Sequence, residues 1–185
     1  NLFMTSPEIN IDPTIAGSVV GTYWFLMMIG RLCGASIGAK VSSRAMLTVV
    51  STVGIVLVLG AIFCADNILV NMPVFKSDIS FGFAQVPVNV MLLILCGLCT
   101  SVMWGGIFNL AVEGLGKYTA AASGLFMVMV CGGGILPLIQ GGVADFAGFL
   151  NSYWVIALGL AYILFYAAIG SKNVNTDIPT DDYEA

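Results

Sequence analysis

Residues 132–145 read GGGILPLIQGGVAD. Glycine and proline are poor helix formers in water, yet here they interrupt a long apolar run that carries no charge before Asp145. Lipid resolves the conflict. Backbone groups in a bilayer have no water to bond, so a segment stays helical even with glycine and proline in it. Glycine then lets a neighbouring helix approach closely.

The rest of the chain agrees with that reading. Of its 185 residues, 59% are hydrophobic and only 9% are charged, and the mean hydropathy is +1.01. A water-soluble domain carries about 25% charged residues. A helix needs about 20 apolar residues to cross the ~30 Å hydrocarbon core. Segments 15–38, 45–64, 89–112, 120–143 and 152–170 meet that requirement, and only the first holds a charge within those limits, Arg31. They predict an all-α membrane domain over residues 14–170. Residues 1–13 read as an external loop after a missing helix, and 171–185 as a disordered acidic cytoplasmic tail. The link 65–88 is long, carries Pro73 and Pro87, and has room for an interfacial turn. Arg31, Lys40, Arg44, Lys117 and Lys172 fall on one side of this topology and Lys76 on the other. The positive-inside rule then places the N-terminus outside and the C-terminus in the cytoplasm.

Several functions are disfavoured. The chain has no histidine and shows no zinc framework. Cys96 and Cys99 form a C-x-x-C pair, but inside an apolar span, where cysteine serves as a small packing residue. Six scattered basic residues do not make a nucleic-acid surface. GLGKYT at 114–119 fails as a phosphate loop, because Tyr118 stands where Ser or Thr is required. No catalytic signature is present, so no enzyme and no cofactor are expected.

Glycines cluster in the first and fourth spans: Gly17, Gly21, Gly30, Gly34 and Gly38, then Gly124, Gly132, Gly133, Gly134, Gly141 and Gly142 with Pro137. With one helix restored in front, these spans take the same place in two three-helix repeats, the pattern that points to transporter binding sites. Gly30, Gly34 and Gly38 repeat every fourth residue and stay on one side of the helix. Pro137 is expected to kink the fourth span. Arg31 is an ionisable group within a span. It reads as a snorkelling side chain or one half of an ion pair, with Glu113 as the candidate partner. Ser101, Trp104 and Phe108 share a helical face, and aromatic rings with polar edges suit a sugar. They read equally as ordinary packing, as do Tyr23 and Trp24. Asn109 and Gln140 are amides within spans and need partners, protein or ligand.

Two longer stretches carry a resemblance. WGGIFNLAVEGLGKYTAAASG (104–124), running on into GGGILPLIQGGVAD, and TYWFLMMIGRLCG (22–34) resemble sugar–proton symporters of the major facilitator superfamily, the fucose permease and glucose/galactose transporter group. The resemblance spans residues 14–170. It implies helices eight to twelve of a twelve-helix transporter of the inner membrane, working by alternating access. Its implied partners are the bilayer, a hexose, a coupling proton and the N-terminal half, which would hold the proton-coupling carboxylates. Gly30, Arg31, Phe108, Glu113, Gly116, Pro137 and Asp145 sit at its motif positions, and Gly34 and Gly133 join a gating or structural set. Tyr23, Trp24, Ser101, Trp104, Phe108, Asn109 and Gln140 become cavity candidates. Gly105 departs from the pattern, since the family usually has proline there. The alternatives are a transporter of the same fold for another small solute, or a non-transporting membrane sensor or assembly subunit.

Overall fold

The computed structural model describes residues 2–6, 9–64, 68–76, 80–130 and 132–172. A short helix α1 (Leu2–Thr5) precedes α2 (Pro13–Gly38), α3 (Ser43–Phe63), strands β1 (Leu69–Phe75) and β2 (Phe81–Pro87), α4 (Val88–Val112), a 3-10 turn (Gly116–Tyr118), α5 (Thr119–Met129), α6 (Gly132–Ala147) and α7 (Phe149–Phe165). By length and apolar composition there are five candidate spans among the described residues, with α5 and α6 together forming one. The chain is an α-helical membrane protein with one small β-element.

Local chemistry sets the helix ends. Asp12 caps α2 by accepting the Thr14 backbone N–H at 2.8 Å, and Pro13 follows at the first helical position, where its missing N–H costs nothing. That backbone hydrogen bond holds the Asp12 carboxyl below its ordinary pKa. Ser42 caps α3 through Ala45 N–H. After α7 the chain winds through a wider turn, Tyr166–Gly170. There Ser171 N–H bonds the Tyr166 carbonyl at 2.7 Å, and Arg44 at the start of α3 donates to the Ser171 carbonyl at 3.0 Å.

Helix α4 is the centre, packed on one side by α2 and on the other by α3, which α7 backs in turn. Lipid is as apolar as leucine, so close packing rather than water exclusion must hold these helices together. The α2–α4 seam shows how. Gly30 lies against Ser101 and Gly34 against Val102, so that a Cβ on either would collide with them. Gly97 of α4 makes room in turn for the Tyr23 ring. Leu47, Val58, Met103 and Leu160 fill the core toward α3 and α7. Cys96 and Cys99 are buried in that same core.

Three sequence expectations change. The 65–88 link contains an antiparallel hairpin, in register from Leu69↔Pro87 to Phe75↔Phe81. Val70, Met72 and Val74 alternate with polar or exposed residues, a period-2 signal that Pro73 masks. Proline is confined to edge strands, and both strands of a two-stranded sheet are edges. Second, the fourth span is not one helix kinked at Pro137. α5 ends at Met129 and α6 starts at Gly132, so the two helical stretches part just before the triple glycine, which opens α6; Cys131 lies outside the described residues. Pro137 sits inside α6, past its first turn, where proline removes a backbone hydrogen bond and crowds the carbonyl four residues back. Third, α1 occupies part of the segment expected as loop. The predicted tail lies outside the described residues beyond 172.

Candidate functional site

The polar and aromatic candidates separate into distinct places. Tyr23 and Ser101 belong to the α2–α4 seam. The Tyr23 hydroxyl pairs with Thr100 Oγ1 at 3.2 Å, and both residues line an inner cavity of about 270 Å³ among α2, α3, α4 and α7. Ser101 is buried, and its hydroxyl donates to the Leu98 carbonyl at 2.6 Å. It therefore packs instead of facing a pathway. Trp24 lies edge-on to Tyr23 but is 62% exposed, on the outer side of α2.

Trp104 and Phe108 do come together. Both meet Phe126 of α5, with ring centroids 5.4 and 5.5 Å away. Trp104 remains 47% exposed, and neighbouring Gly105 has open space around it. The result is an aromatic wall on the free face of α4. Asn109, next to Phe108 in sequence, reaches Ser43 Oγ with its Nδ2 at 3.5 Å. Gln140 is apart from all of these, in a groove of about 450 Å³ that Pro137, Phe149, Ser152 and Tyr153 also line.

The expected Arg31–Glu113 pair is not formed. Arg31 is exposed and its guanidinium reaches Met27 Sδ on its own helix at 3.9 Å. Glu113 ends α4 and shares a cleft of about 710 Å³ with Arg44, Ser43 and Asn109. The offset of the two helices decides this: Gly30 is level with Ser101, so Glu113 lies about 18 Å further along α4 at about 1.5 Å per residue. Arg44, Thr100 and Thr22 were missed as polar organisers, because single hydroxyls and a loop arginine leave no pattern in the sequence. Asp145 lies exposed near the end of α6. Gly133 has nothing near it. Among the described residues no group of His, Cys, Asp and Glu could hold a metal.

This is the architecture of a multi-pass α-helical membrane protein, and comparison with known proteins narrows the class. The chain is 30% identical over 169 residues to the glucose/galactose transporter of Brucella abortus, across 88% of this chain and 36% of that protein. It is 33% identical over 92 residues to the L-fucose-proton symporter of Escherichia coli K12, across 49% of this chain and 21% of that one. No family model matches, and no solved structure does. The chain belongs to the major facilitator family of sugar transporters. It spans about a third of the length of the curated relatives it matches.

Proposed function

We propose that residues 1–185 are the C-terminal five-helix part of a hexose–proton symporter that works by alternating access in the inner membrane, with the Pro13 end of α2 outside. The observation that carries this reading is the 30% identity to a glucose/galactose transporter, sustained over 88% of the chain. The free aromatic face of α4 supports it, since Trp104, Phe108 and Phe126 form a wall on which a sugar's C–H face can stack. Coupling is assigned to the rest of the transporter. A coupling group must gain and lose a proton inside the membrane, the chain has no histidine, and Glu113 and Asp145 lie at or near helix ends; Asp66 lies outside the described residues. The partners on this reading are lipid, a hexose, a proton and the remaining helices, and the chain catalyses no covalent chemistry.

The test is hexose uptake by the full-length transporter in proteoliposomes. Trp104→Ala should raise KM about tenfold, the loss expected from one aromatic contact. Trp154→Ala, on α7 against Phe63, should change it less than about twofold. Equal effects from the two would remove the aromatic wall from the pathway.

A further inference from the structure

The hairpin stands alongside α2. The Phe75 N–H donates to Thr22 Oγ1 at 2.8 Å. The Phe25 and Phe75 rings stack 5.2 Å apart, and Phe81 meets both edge-on. The Phe75 carbonyl faces Gly21 of the helix. Thr22 and Phe25 lie about 14 and 18 Å along α2 from Pro13, at about 1.5 Å per residue. Seven strand residues cover about 20 Å, so the Phe75–Phe81 end of the hairpin is carried into the outer half of the ~30 Å core.

Backbone at that depth is constrained. A two-stranded sheet leaves one edge of each strand unpaired, and open edges within a membrane are tolerated only where protein buries them or water reaches them. Lys76, just past β1, adds a charge at the same depth. Both features call for an aqueous space beside the hairpin.

A cleft of about 610 Å³ lies there, between the first turns of α2 and the strands, and Thr14, Ser18, Lys76, Phe83 and Gln85 supply its polar and aromatic lining. Its size falls in the ~300–1,000 Å³ range of small-molecule sites. The Phe83 ring is 79% exposed, and Lys76 and Gln85 are exposed with it. The Ser18 hydroxyl donates to the Thr14 carbonyl at 3.1 Å, which leaves its lone pairs to accept. The lining thus offers an apolar ring face, an amide that donates and accepts, two hydroxyls and one ammonium donor. Among the described residues no carboxylate lines it, and one cation falls short of the multiple charge-assisted contacts that a phosphate draws. This is the chemistry of a neutral polyol.

We propose that this cleft is a vestibule site that takes a neutral hexose on the Pro13 side of the membrane, before the sugar reaches the central pathway. Phe83 is the stacking surface, and Gln85, Ser18 and Lys76 bind hydroxyls. The inference rests on the hexose-transport reading above.

The experiment measures initial rates of galactose and glucose uptake by the full-length transporter, oriented in proteoliposomes with the Pro13 side facing the medium. Phe83→Ala and Gln85→Ala should each raise KM about fivefold to tenfold, with kcat held within about twofold. Lys76→Gln, which keeps a donor, should have a smaller effect. A spin label on Phe83→Cys should be relaxed by a water-soluble nickel chelate, and added galactose should reduce that access. Unchanged KM in both alanine variants, with wild-type uptake intact, would overturn the vestibule site and leave the transport reading standing. Access of the label to oxygen but not to nickel would place the hairpin in lipid and overturn the site as well. A wild-type preference for hexose phosphate that Lys76→Gln abolishes would overturn the neutral-sugar assignment. A wild-type transporter that moves no hexose would bring down the transport reading and the site together.

Discussion

Two spans of this chain carry the same small-residue signature and use it differently. In α2, Gly30 and Gly34 are filled against Ser101 and Val102 of α4, and an added methyl has nowhere to go. In α6, Gly133, Gly134, Gly141 and Gly142 have nothing within 4 Å of the place a Cβ would occupy. None of the described residues from Gly116 to Ala147 is buried, whereas 44% of the α4 window is. The pattern in the sequence therefore marks a helix face prepared for close approach. It does not say which neighbour arrives. On the proposed reading, α2 displays the seam inside this domain, and the α6 face is left for helices outside residues 1–185.

The sharpest way to break the contrast is to overfill the seam. Gly30→Leu should destabilise the chain in detergent by about 3 kcal/mol, at the upper end for overpacking. The cause is that Ser101 and the Leu98 carbonyl both stand in the way. Thermal unfolding followed by exposure of Cys96 and Cys99 would read this, and an unchanged midpoint would mean that the α2–α4 contact is not close-packed. A smaller loss is expected where α2 meets the hairpin. Thr22→Val removes the acceptor for the Phe75 N–H, at a cost of about 1–3 kcal/mol for an orphaned donor. The loss should be confined to the hairpin and visible as faster hydrogen exchange in residues 69–75 while α3 stays protected. Exchange spread evenly over both regions would contradict a separable hairpin. The least effect belongs to α6. Gly142→Ala in residues 1–185 should be neutral or stabilise by about 0.4–1 kcal/mol, since it restricts the unfolded chain and meets no neighbour. A clear loss of stability there would show that the α6 face is already occupied.

The same contrast explains what the sequence revealed. The helical spans were legible because bilayer thickness and backbone satisfaction leave few alternatives. Gly30 and Gly34 were legible as a contact surface for the same reason. Their partners Ser101 and Val102 were not, because spacing along one helix carries no information about the rotation of the next. Rotation also buried Ser101, while leaving Trp104 and Phe108 together against Phe126, and the offset of α2 along α4 kept Arg31 from Glu113. The hairpin stayed hidden behind Pro73, whose usual meaning in a strand is exclusion. Pro137 marked the fourth span as interrupted, but it lies inside α6 while α5 already ends at Met129, a boundary that no proline signals.

The central claim is that this five-helix domain needs the remaining helices to move sugar. The direct measurement is radiolabelled galactose accumulation in vesicles holding residues 1–185 alone, or these residues co-expressed with the rest of the transporter, with and without a pH gradient. The account predicts no gradient-driven accumulation by residues 1–185 alone and recovery on co-expression. Accumulation by residues 1–185 alone would contradict it, because a coupling group and a complete pathway would then both have to lie within these five spans.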